Sequence, residues 1–121
     1  GIGGFDESLA RISIATLVYS VAKRKDLPQF KSTLGYLVNK VEFTGSSGFG
    51  WVNYQRYYQA QALFQGDVEA WERWNKLLIR QLKTTQQADG SFPGQHGASI
   101  STSMSLLSLA LNYRLLPIYE R

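Results

Sequence analysis

Cysteine is missing from all 121 residues, so neither disulfides nor thiolate metal sites can contribute to the fold or the chemistry. Histidine is almost as scarce. His96 stands alone in the segment Pro93-Gly94-Gln95-His96-Gly97, and a single ligand cannot make a metal site. We expect an exposed loop residue there, with no metal and no cofactor. Long apolar runs are absent as well: the most apolar stretch, 100–111, falls short of the roughly 20 residues that span a bilayer and is interrupted by serines. The expectation is no membrane span. Those serines, within 99–108, have no basic partner nearby in sequence and read as small packing residues rather than nucleophiles. The start, Gly1-Ile2-Gly3-Gly4-Phe5, lacks the basic region and apolar core of an export signal and reads as the middle of something longer.

With 44% hydrophobic residues, the chain can bury one sizeable core, so a single domain over 1–121 is expected. The formal charge of +4 would suit an acidic partner, but the basic residues are dispersed. Lys31, Lys40, Arg73, Lys76, Arg80 and Lys83 lie apart from the short run Lys23-Arg24-Lys25, which suggests solvated helix faces and no nucleic acid.

Periodicity predicts five helices. The first begins near Asp6-Glu7, where carboxylates suit the positive first turn, and runs to about Lys23. Its uncharged middle, 12–21, is expected to be covered nearly all round. Lys23, Arg24 and Lys25 complement its negative end, and Pro28 restarts the chain. The second helix carries Phe30, Leu34, Leu37 and Val41 on one stripe. The third, Trp51 to Gln65, interleaves aromatics with amides, and Arg56 is its only charge. Gly66-Asp67 ends it and caps a fourth, Val68 to Thr84, with Val68, Trp71, Asn75, Leu78 and Leu82 on one stripe. The fifth, Ile100 to Tyr113, is uncharged to Asn112 and is stopped by Leu116-Pro117.

Inner and outer helices therefore alternate, and the joints between them recur. Gly3-Gly4-Phe5, Gly48-Phe49 and Gly90-Ser91-Phe92 share a glycine followed by an aromatic, with 44 positions from Phe5 to Phe49 and 43 from Phe49 to Phe92. This divides the chain into about two and a half helical-pair repeats, at about 5–48, 49–91 and 92–121. A shift of 44 sets Ser13 beside Tyr57 and Ser101, Val18 beside Ala62 and Leu106, and Ala22 beside Gly66 and Ala110. The last trio is always small, as close packing at the end of each inner helix would require.

Gln87-Ala88-Asp89-Gly90-Ser91-Phe92 resembles the Gln-x-x-Gly-x-Trp core of the QW repeat in squalene-hopene cyclases and prenyltransferase-type repeat proteins, with phenylalanine for tryptophan. Tyr57-Tyr58-x-Ala60-Gln61-Ala62, Trp71-Glu72-Arg73-Trp74, and the segment from Thr102-Ser103-Met104 to Leu116-Pro117-Ile118-Tyr119 resemble the last repeats of such proteins. The resemblance implies an all-α fold, part of an α/α toroid in which inner helices ring a cavity. In the repeat turn it gives Gly90 a positive φ, Gln87 an amide reaching backbone groups near the next helix, and Phe92 a ring packed over it. A closed ring needs more helices than these. We expect either the C-terminal part of a longer protein or another protein chain covering the open repeat ends.

Trp51, Tyr54 and Tyr58 recur at i, i+3 and i+7 and could line such a cavity, where aromatic faces stabilise cations, or could equally pack an inner helix. The acidic Asp-x-Asp-Asp motif of the cyclases is absent, and Asp6-Glu7 reads as a helix start rather than a proton donor. The zinc ligands of protein prenyltransferases and the Cys-Gly-Glu-Gln thioester of complement-like toroids also lack their cysteine. No catalytic residue is therefore assigned. The expectation is a non-catalytic binding or scaffolding module, for a protein or an apolar ligand. The alternative is the C-terminal segment of a terpenoid cyclase whose acid lies elsewhere.

Overall fold

Each change of helix along the chain is enforced by a local device, and five α-helices result. The computed structural model describes residues 5–42, 52–94 and 97–112. They form α1 (Phe5–Val21), α2 (Pro28–Asn39), α3 (Val52–Gly66), α4 (Val68–Thr85) and α5 (Ala98–Leu109), followed by a 3₁₀ turn over Ala110–Asn112. No strand occurs among the described residues.

α1 stops two residues before the expected end because Lys23 takes a left-handed conformation with φ of 59°. Its N–H bonds to Ser20 O at 3.1 Å, and Arg24 N–H to Tyr19 O at 2.8 Å, closing a Schellman-type end. The cations beyond it behave differently from the expectation. Arg24 pairs with Asp26 at 3.0 Å in an exposed ion pair, and Lys25 Nζ donates to Gln65 O. Lys25 thus neutralises the carbonyl end of α3, not of α1.

Pro28 occupies the first turn of α2, and Phe30, Leu37 and Val41 are buried along the expected stripe, with Leu34 half-buried. Asp67 makes the corner between α3 and α4, its Oδ1 accepting from Ala70 N–H at 3.1 Å. Phe64 and Trp71 meet edge to face across that corner at 5.2 Å. On α4 the apolar stripe is as expected, with Trp71, Asn75, Leu78 and Leu82 buried and Trp74 added to them.

α3 packs against all four other helices, most extensively against α1 and then α5. α2 lies on α1 and α3, and α4 lies on α3 and α5. The core is built from Leu9, Leu37, Leu63, Phe64, Trp71, Trp74, Leu78, Phe92 and Leu111 with their neighbours.

The expectation that α1 is covered all round is corrected. Leu9, Ser13, Thr16 and Ser20 are buried, whereas Ile14, Val18 and Val21 are 39%, 58% and 53% exposed. α5 repeats this arrangement: Ser101, Ser105 and Ser108 are buried, and Ile100, Leu106 and Leu107 are exposed. Hydroxyls can face inward because most bond to the helix's own backbone, as in Ser13 to Leu9 O (2.7 Å), Thr16 to Ile12 O (2.8 Å), Ser20 to Thr16 O (3.0 Å) and Ser108 to Met104 O (2.9 Å). Close packing of the small trio holds only in part. A Cβ on Gly66 would lie 2.5 Å from Leu34 Cδ1, but Ala22 is exposed and Ala110 half-buried.

Two glycine exchanges test this backbone reading by chemical denaturation. Lys23→Gly relieves the left-handed strain and should stabilise the fold by about 1 kcal/mol. Gly35→Ala lies mid-helix on an exposed face with nothing within 4 Å of the added carbon. It should add about 0.5–1 kcal/mol.

Candidate functional site

Three features carry the candidate sites: the turn from α4 to α5, the aromatic–amide side of α3, and the outer faces of α1 and α5. In the turn, Gly90 N–H bonds to Gln87 O at 2.9 Å, and Gln87 N–H to Ser91 O at 2.8 Å. Gly90 has φ of 90°, a conformation glycine adopts without strain. Phe92 turns its ring into the core at 6% exposure, and its N–H donates to Thr102 Oγ1 at 2.9 Å. The amide that reaches the backbone is that of Gln86, which donates to Gly90 O at 2.9 Å. Gln87 instead faces Ser91 Oγ at 2.8 Å inside the turn. The physical reason is reach: Gln86, the residue that ends α4, stands four positions before the carbonyl it binds.

Asp89 completes the turn by accepting from Ser91 N–H (2.9 Å) and Ser91 Oγ (2.6 Å). These bonds, the hydroxyl's first, hold its carboxyl below the ordinary 3.8. Ser101 Oγ then donates to Pro93 O at 2.8 Å and accepts from Asn53 Nδ2 at 3.1 Å, tying the loop to α5 and to α3 at once. A Cβ on Gly94 would sit 2.6 Å from Ser101 Oγ, so the loop approaches α5 as closely as a glycine permits.

On α3, Tyr54 is 39% exposed and Tyr58 is half-buried on the same side of the helix. Trp51 and His96 lie outside the described residues. Tyr57 packs edge to face on Tyr58 with ring centres 5.1 Å apart. Further along that side are Gln61 and Gln65, 4% and 9% exposed, and Gln61 Nε2 has no hydrogen-bond partner. Gln55 and Gln59 are buried on an adjoining side, with Gln55 Nε2 3.5 Å from Gln59 Oε1.

Arg56 is the residue whose importance the sequence reading missed. It is only 5% exposed, and burial pushes its guanidinium down to about 10. The available signal was its position, the sole charge in an otherwise uncharged helix. No three His, Cys, Asp or Glu side chains among the described residues are grouped to hold a metal ion, and no helix there is long and apolar enough to cross a membrane.

Elsewhere, an open groove of about 450 Å³ is lined by Tyr19, Pro28, Gln29, Ser32 and Thr33 between the end of α1 and the start of α2. The outer faces of α1 and α5 also carry apolar side chains in solvent. Ile14, Val18 and Val21 on one, with the exposed Arg11 a turn before Ile14 on the same side, and Ile100, Leu106 and Leu107 on the other, are exposed. Compared with family models, with curated proteins and with solved structures, the chain matches none.

The turn can be tested apart from any ligand. Gly90→Ala forces a side chain into positive φ and should cost about 1–2 kcal/mol on denaturation. Ser91→Ala should raise the Asp89 titration toward 3.8 when followed by NMR. Because the folded carboxyl is the more acidic, its contribution is present above the unfolded value and fades as pH falls through the folded one. The acid limb of a stability profile should therefore flatten in Ser91→Ala.

Proposed function

We propose that the chain is a segment of an α/α-toroid repeat serving as a non-catalytic binding or scaffolding module. The observation that carries this reading is the inverted amphipathicity of α1 and α5. Their small hydroxyl residues are spent on α3, leaving Ile14, Val18 and Val21, and Ile100, Leu106 and Leu107, toward solvent. Apolar side chains left in water on two separate helices gain free energy when something covers them, and on α1 the neighbouring Arg11 can keep its charged end in solvent at the rim.

The toroid reading draws support from the joint and from the repeat. Gly90 has the positive φ, and Phe92 the buried ring, that the resemblance implies. Ser13 and Ser101 are both buried, and Val18 and Leu106 are both 58% exposed, at positions that a shift of 44 sets together. The alternative, part of a terpenoid cyclase, is favoured by one observation, the pair Tyr54 and Tyr58 on one side of α3.

Photo-crosslinking residues placed singly at 18, 106, 31 and 80 in the producing cells test the first reading. Protein adducts should form at 18 and 106 and be absent at the exposed, charged-face positions Lys31 and Arg80. Adducts confined to 31 and 80 would overturn it, as would conversion of a polyprene by the purified chain.

A further inference from the structure

We propose that Asp89-Gly90 is a latent covalent modification site: the main chain rearranges there to an isoaspartyl linkage when the turn opens, and the folded turn holds it unreactive. Of the four aspartates, at 6, 26, 67 and 89, only Asp89 precedes a glycine, and none of the four asparagines does. Glycine matters because its nitrogen, with no side chain beside it, is the amide least hindered in attacking the preceding carboxyl. Both residues are exposed, so water reaches them.

The rearrangement needs only the chain and water. Gly90 N bonds to Asp89 Cγ while the hydroxyl of the neutral carboxyl leaves with the amide proton as water, closing a five-membered succinimide. Water then adds back and breaks one of the two bonds from the ring nitrogen to a carbonyl carbon. Breaking the bond to Cγ restores aspartate. Breaking the bond to the main-chain carbonyl carbon routes the chain through Cβ and Cγ, which adds one methylene to the backbone and leaves the former main-chain carbonyl as the free carboxylate. Mass and net charge are unchanged.

The folded turn opposes each requirement. The attacking nitrogen must give up its proton, and Gly90 N–H is committed to Gln87 O at 2.9 Å. The carboxyl must be neutral to release water, and Ser91 N–H (2.9 Å) and Ser91 Oγ (2.6 Å) on Asp89 Oδ1 favour the carboxylate. Those bonds also hold Asp89 toward residue 91, one position past the nitrogen with which it would react. The Gly90 carbonyl is fixed in turn by Gln86 Nε2 at 2.9 Å, so glycine is held on both sides.

The product does not fit this turn. A methylene inserted before Gly90 N displaces its N–H from Gln87 O and lengthens the path to Phe92, whose ring is buried and whose N–H meets Thr102 Oγ1 at 2.9 Å. Rearrangement therefore loosens the joint between α4 and α5, whatever the outer faces bind.

Ageing the full chain in neutral buffer, with and without guanidinium chloride, and quantifying isoaspartate at position 89 by peptide mapping tests this. The denatured parent should accumulate the product, and the folded parent at least about tenfold more slowly, because reaction waits on opening of the turn. Ser91→Ala, folded by circular dichroism, should react roughly three- to tenfold faster than the folded parent, the rate equivalent of one hydrogen bond. Ser91→Thr keeps the hydroxyl and should return to the parental rate. In denaturant, Gly90→Ala should lose most of the product, since its methyl hinders the attacking nitrogen. Equal rates in folded and denatured parent overturn the proposal, as does a denatured parent that forms no isoaspartate at 89. So does a folded Ser91→Ala that reacts no faster than the parent.

Discussion

A helix buried over most of its surface needs neighbours on most sides, and α3 sets that condition for everything else. Ten of its fifteen residues, from Val52 to Gln65, are buried, including Arg56 and four glutamines. Such a helix can be enclosed only if its neighbours come close and bring few bulky groups to the contact. α1 and α5 meet this demand with Ser13, Thr16 and Ser20 on one and Ser101, Ser105 and Ser108 on the other. Small side chains permit the approach, and bonds from hydroxyl to the preceding turn limit what their burial costs.

The ends of α3 are held by separate devices. At its C-terminus, Lys25 donates to Gln65 O, Gly66 admits Leu34, and Asp67 opens α4 directly. Toward its N-terminus, Asn53 reaches Ser101, whose hydroxyl also holds Pro93 O. Farther out, the reciprocal amides of Asn75 and Asn112, at 2.8 and 3.2 Å, pin α4 to the 3₁₀ turn after α5. The turn around Gly90 belongs to this set: its polar groups are occupied with one another and with the adjoining helices, and its ring serves the core.

The same economy explains where function is expected. Facing hydroxyls toward α3 leaves Ile14, Val18 and Val21 of α1 and Ile100, Leu106 and Leu107 of α5 outside. The tyrosine side of α3 is a distinct surface, with Tyr54 partly in solvent and Gln61 buried beside it.

Much of the fold was legible in the sequence. The five helices, the Asp67 corner and the stripes of α2 and α4 follow from short-range rules of spacing and capping, which act within a few residues, while the positive φ of Gly90 was implied by the resemblance of its turn. Which face of an uncharged helix turns inward does not follow from such rules. α5 has no charge on any side and α1 has none beyond Arg11, so hydrophobic periodicity carries little direction, and their inward hydroxyls were decided by the proximity that α3 requires. The Gln86 amide, the transfer of Lys25 to the end of α3 and the burial of Arg56 are likewise tertiary outcomes. Each depends on where another segment arrives in space, which local sequence does not encode.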